Sequence, residues 1–85
     1  MTEKHLYPFT VYGTSWCRDC HRTRALLKEY NVAYVWVNID SDPAARNLIQ
    51  DLNNGNHSVP TLVFADGSVL VEPSNLELKQ KLGLA

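Results

Sequence analysis

The chain has 85 residues, 45% of them hydrophobic, and a formal net charge of -1, enough for one domain over residues 1–85 with one modest core and too little for two. Its near-neutral balance gives no general attraction to nucleic acid or to anionic lipid, so neither is expected as a partner. No apolar run approaches the roughly 18 residues of a membrane span, and the first eight residues lack the apolar stretch of a secretory signal, so the expected compartment is the cytoplasm.

Phe9-Thr10-Val11-Tyr12 is aromatic and β-branched and is followed by Gly13, which predicts a first strand. From about Arg18 to Tyr30 the period becomes helical: Ala25, Leu26, Leu27 and Tyr30 supply apolar faces, Arg22, Arg24, Lys28 and Glu29 the solvated ones, and Asn31 ends the run. Residues 32–39 are apolar at nearly every position, the pattern of a parallel strand covered on both faces. Asp42-Pro43 signals a second helix, because Asp caps free N–H groups and Pro fits the first helical position. Ala45, Leu48, Ile49 and Leu52 repeat at helical spacing before Asn53-Asn54-Gly55-Asn56 stops them. Residues 61–65 and 68–71 flank Asp66-Gly67, which predicts two antiparallel strands joined by a two-residue turn with positive φ angles. Ser74-Asn75-Leu76-Glu77 has the form of a capping box for a last helix whose Leu78 and Leu82 face the core. The order β-α-β-α-β-β-α, with the parallel pair joined by the first helix, is that of an α/β thioredoxin-like fold: a four-stranded mixed sheet flanked by helices.

The only two cysteines lie in Trp16-Cys17-Arg18-Asp19-Cys20, between the first strand and the first helix. In a reducing compartment a close pair is catalytic, redox-sensing or metal-binding more often than a staple. A right-handed crossover carries Cys17 beyond the carboxyl edge of the first strand, where open α/β sheets place their chemistry. At the helix start, unpaired N–H groups favour a thiolate at Cys17, the predicted nucleophile; Cys20, one turn deeper, is the predicted resolving thiol and redox-disulfide partner. Arg18 and Arg22 would assist the thiolate and Asp19 oppose it, through effects that water screens. Cys17 to His21 also spells the attachment pattern of a c-type haem, but the only Met is Met1, with His5 and His57 as distant alternatives, and no export signal accompanies it. Zinc would need four ligands, and His21 and His57 are scattered, so no metal is expected and His21 is read as a plain helix residue. Ser58-Val59-Pro60 opens the third strand; Pro60 either simply begins it or, as a cis proline facing the cysteines, frees the Val59 backbone to pair with an extended substrate.

These segments resemble the glutaredoxins, and within them the mycoredoxin branch. The resemblance runs through Tyr12-Gly13-Thr14-Ser15-Trp16-Cys17, Cys20 with Arg22 and Ala25-Leu26-Leu27, Asn38-Ile39-Asp40, Asp42-Pro43, Gly55-Asn56 before Val59-Pro60, and Phe64-Ala65-Asp66-Gly67-Ser68. It implies a thiol-disulfide oxidoreductase with Cys17 and Cys20 as the active pair, a cis Pro60, and Val59 lining the substrate groove. It implies a low-molecular-weight thiol, mycothiol or glutathione, as co-substrate with no tightly bound cofactor, and thiol-modified or disulfide-containing proteins as partners of a monomer. The chain departs from the glutathione-using members, which carry a Lys shortly before the nucleophile and a Gly-Gly pair before the last helix; here those stretches read Thr14-Ser15-Trp16 and Val71-Glu72-Pro73-Ser74-Asn75. Trp16 and Arg18 beside the nucleophile, and Ser74 and Asn75 at a helix start with N–H groups to offer, complete the expected substrate-binding set, and Trp16 presents a flat face suited to the sugar and inositol of mycothiol. Two other activities fit the motif: a thioredoxin-like protein-disulfide reductase, and an iron–sulfur scaffold holding a cluster through Cys17.

Overall fold

Val11 and Leu62 face each other across the middle of the sheet and both are fully buried. Around that pair the structure, a computed structural model describing residues 6–84, arranges β1 (Thr10–Gly13), α1 (Arg18–Glu29), β2 (Val35–Asn38), a 3-10 turn (Ile39–Ser41), α2 (Pro43–Leu52), β3 (Thr61–Val63), β4 (Val69–Val71) and α3 (Asn75–Leu82). The strands lie in the order β2-β1-β3-β4; β1 and β2 are parallel, and β1–β3 and β3–β4 are antiparallel. This is the expected mixed sheet of a thioredoxin-like fold.

Side chains alternate across a strand, and β1 shows the consequence. Val11 joins Leu6, Phe9, Leu26, Leu27, Leu62, Phe64 and Leu78 in the larger cluster, which unites α1 and α3 with one sheet face. Its neighbour Tyr12 points the other way and packs with Val37 and Val59 against Ile39, Ala45 and Ile49, so α2 covers the opposite face. Each fully buried Leu or Ile contributes about 1.5–3 kcal/mol by leaving water. Among the described residues no helix is long and apolar enough to cross a membrane.

Four local expectations are corrected. The second strand is not buried along residues 32–39: only Val35–Asn38 pairs, at a sheet edge, with Val35 half exposed. Val32 and Tyr34 are apolar because they pack on the larger cluster from a loop, which hydropathy alone does not distinguish from a strand. On α2 only Ala45 and Ile49 are buried; Leu48 and Leu52 are each 41% exposed, because a single helix laid on a sheet face buries only the stripe that touches it. Ala25 is likewise exposed, while Arg24, expected in solvent, lies 4.1 Å over the Trp36 ring and donates to the Tyr34 hydroxyl at 3.1 Å. The hairpin turn is longer than two residues: Gly67 N–H donates to the Phe64 carbonyl, Phe64 N–H to that of Ser68, and only Gly67 has positive φ, at 88°. That is a type I turn closed by a left-handed glycine.

Candidate active site

Gly13 ends β1 because of what lies against it. A Cβ at Gly13 would stand 2.6 Å from Cys20 Sγ and 2.7 Å from the Trp36 ring, so only hydrogen leaves room for both. The chain then turns through Thr14–Trp16, and Cys17 N–H donates to the Thr14 carbonyl at 3.5 Å. Cys17 is the N-cap of α1, with extended backbone angles, and its Sγ accepts a hydrogen bond from Cys20 N–H at 3.1 Å. The Cys17 sulfur takes the place usually held by a Ser or Asp oxygen, satisfying one of the orphan donors of the first turn.

Both cysteines are free thiols. Cys17 is 8% exposed and Cys20 only 1%. Burial first, and the hydrogen bond with Cys17 second, push the Cys20 thiol up to about 12, against a smaller opposing effect of the Thr14 backbone N–H. The Cys17 sulfur lies 3.8 Å from the Val59 carbonyl oxygen. The Val59–Pro60 bond is cis, as the resemblance implies. Pro60 is buried, and its carbonyl accepts from Glu72 N–H at 2.8 Å, linking the third strand to the segment before α3. Glu72 itself has φ of 47°.

The remaining expected contributors are placed less uniformly. Arg18 is exposed on the first turn of α1. Arg22, expected to assist a thiolate at Cys17, is engaged elsewhere instead: it donates to Asn75 Oδ1 at 2.7 Å and to the Pro73 carbonyl at 3.2 Å, with Asp19 3.5 Å away. It ties the cysteine helix to the start of α3 and uses up the Asn75 side-chain oxygen. Ser74 is also committed: its Oγ accepts from Glu77 N–H at 3.1 Å, and its own N–H donates to Glu77 Oε1 at 2.9 Å. Hydrogen bonds to the carboxyl, from the Ser74 backbone N–H first and the Ser74 side chain second, hold Glu77 below its ordinary range. The expected free N–H groups of this helix start are therefore reduced, and the anion already there is the chain's own.

Trp16 is 72% exposed, and its indole N–H donates to Asp40 Oδ2 at 2.7 Å. His21 is more than a helix residue: its Nε2 lies 2.6 Å from the Ser15 carbonyl, bracing the turn before Cys17. Sequence reasoning passed over Gly13, His21, Trp36 and Asp40 as contributors. Asp40 had a usable signal, a carboxylate just beyond the carboxyl end of the strand parallel to β1. Met1 and His5, weighed above as haem ligands, lie outside the described residues.

The glutaredoxin family pattern matches residues 9–70. A glutaredoxin of Mycobacterium tuberculosis is 45% identical over 73 residues, covering 86% of this chain and 87% of the relative. The chain belongs to the glutaredoxin family. Mycoredoxin 1 of Corynebacterium glutamicum is 34% identical over 74 residues, covering 86% of this chain and 90% of its own length, so this glutaredoxin falls beside the mycoredoxin branch. The crystal structure of a thioredoxin-like protein superposes with a TM-score of 0.81 at 31% identity, over 94% of this chain and 100% of that one. The glutaredoxin of Archaeoglobus fulgidus superposes with a TM-score of 0.70 at 27% identity, over 87% of this chain and 84% of that one. As a glutaredoxin the protein is a thiol-disulfide oxidoreductase that uses a low-molecular-weight thiol and acts on disulfide substrates.

Proposed function

We propose that this glutaredoxin reduces mixed disulfides between proteins and a small thiol, with mycothiol preferred to glutathione, Cys17 as nucleophile and Cys20 as resolving thiol. The observation that carries the assignment of roles is the asymmetry of the pair. Cys17 receives a backbone N–H at the helix start, and Cys20 is desolvated behind it. The thiolate of Cys17 attacks the small-thiol sulfur of the mixed disulfide, the protein thiolate leaves and takes up a proton, and a Cys17–small-thiol disulfide forms. A second small thiol attacks that disulfide and leaves as the oxidised dimer, restoring Cys17. For a protein disulfide, Cys17 attacks one sulfur and the other leaves as a thiolate that takes up a proton; Cys20 then loses its proton and attacks Cys17 in this mixed disulfide, releasing the reduced protein and leaving a Cys17–Cys20 disulfide. Val59, Pro60, Trp16 and Arg18 border this path as substrate-binding residues, with Ser74 and Asn75 at its far rim. The protein works as a one-domain monomer in the cytoplasm.

The choice of thiol follows from charge. A glutathione carboxylate brought to the start of α3 would meet the Glu77 carboxylate already bonded to Ser74 N–H, and like charges at hydrogen-bond range repel. Mycothiol's sugar and inositol need no such anion site and suit the open face of Trp16. Comparing kcat/KM for mycothiol-linked and glutathione-linked disulfides tests the assignment: a preference of about tenfold or more, or about 1.4 kcal/mol in the transition state, is expected. Equal or reversed values return the protein to the glutathione-using members.

A further inference from the structure

Trp16 combines two features that rarely occur together: a large ring mostly in solvent, and a polar edge that is firmly bonded. Its N–H is committed to the Asp40 carboxylate at 2.7 Å, a charge-assisted hydrogen bond. Among the described residues no aromatic ring or cation stacks on its face. The ring is therefore fixed along its edge while its faces stay available, next to Cys17 in the chain. Asp40 is in turn held from other sides. Arg46 Nη2 donates to the Asp40 carbonyl at 3.2 Å and stands 3.7 Å from its carboxylate. Asp40 N–H donates to Asn38 Oδ1 at 2.9 Å, closing the 3-10 turn that follows β2. The bracing reaches the Trp16 ring through the strand that runs parallel to β1.

We propose that Asp40, backed by Arg46, is a positioning residue that holds the Trp16 ring as a preformed wall beside Cys17, on which a saturated ring of the small thiol stacks through its C–H face. This rests on the assignment of a ring-bearing thiol above and adds the residue that gives Trp16 its orientation. An exposed Trp free to rotate would have to be ordered by each incoming substrate, and a ring already held by Asp40 avoids that entropy loss. The wall acts in binding and leaves the sulfur exchange itself to Cys17. Its signature is a change in KM without a change in kcat, confined to a substrate that carries a ring.

The test measures kcat and KM for mycothiol-linked and glutathione-linked disulfides in the wild type, Asp40→Ala, Asp40→Asn, Trp16→Phe and the Trp16→Phe/Asp40→Ala pair. Asp40→Ala is expected to raise KM for the mycothiol-linked substrate about five- to tenfold, leaving kcat and the glutathione-linked KM in place. Asp40→Asn restores KM, because its amide oxygen still accepts the indole N–H. In the Trp16→Phe background, which has no N–H to hold, Asp40→Ala adds no further loss. The indole N–H resonance of Trp16 shifts in Asp40→Ala while that of Trp36 stays, which shows that the fold is kept. Equal losses on both substrates, a full Asp40→Ala effect without the Trp16 N–H, or no effect of Asp40→Ala on KM would overturn the proposal. The wild type's own preference between the two substrates separately decides the thiol, so a failure of that assignment is told apart from a failure of the Asp40 proposal.

Discussion

Cys17 and Cys20 are three residues apart and differ in what surrounds them more than in where they lie. Cys17 caps a helix and Cys20 is walled in by Gly13 on β1, in a space it shares with the edge of Trp36. Its thiol, held up to about 12, stays protonated at neutral pH, so in the proposed resolving step it has to shed that proton first. A folded-state value above the ordinary thiol value of 9.0 means that this contribution to stability is fully present below pH 9 and is lost as the pH rises towards 12. Denaturant titrations of the reduced protein should therefore show an alkaline decline in stability that Cys20→Ser lacks; parallel curves for the two proteins would contradict the burial of that thiol. Gly13→Ala tests the same enclosure from the other side. Its Cβ would fall 2.6 Å from the sulfur and 2.7 Å from an indole ring pinned under Arg24. We expect a loss of about 1–3 kcal/mol, the usual range for overpacking, seen as a lower Tm with altered Trp36 fluorescence.

Helices and strands differ in how legibly they are written. The starts of α2 and α3 were readable because capping is local chemistry: Asp42 Oδ1 accepts from Ala45 N–H at 3.1 Å, and the capping box of Ser74 and Glu77 is present with both its bonds. The second strand was overextended because Val32 and Tyr34 are apolar for tertiary reasons. Leu48 and Leu52 carried helical spacing but no information about how much of α2 the sheet would cover. At the site, the cysteine pair and the cis Pro60 came from motif and resemblance; the ties of Arg22 to Asn75 and of Trp16 to Asp40 join residues 53 and 24 positions apart, which no local pattern records. The segment before α3 supplies a prediction of its own. Glu72 has φ of 47°, in the left-handed region, where a side chain costs about 1–2 kcal/mol. Glu72→Gly should stabilise the protein by about 1 kcal/mol, roughly 4–8 °C in Tm for a chain of this size. An unchanged or lower Tm would mean that the Glu72 side chain makes interactions that offset the strain.

The whole molecule is a four-stranded sheet whose carboxyl edge at β1 and β2 gathers the chemistry. From there Cys17, Trp16 and Asp40 are reached directly, while β3 brings Val59 and Pro60, and Arg22 draws in the start of α3. With a formal charge of -1, the protein has no strong overall field to steer substrates, so discrimination has to come from these local contacts. The central proposal is that two roles are divided between two sulfurs, Cys17 as nucleophile and Cys20 as resolving thiol. Its most direct measurement is turnover of a small-thiol mixed disulfide by Cys17→Ser and Cys20→Ser, with the adduct located by mass spectrometry. The expected result is no turnover in Cys17→Ser, retained turnover through the small thiol in Cys20→Ser, and an adduct on Cys17 alone. Turnover by Cys17→Ser, or loss of all turnover in Cys20→Ser, would contradict it.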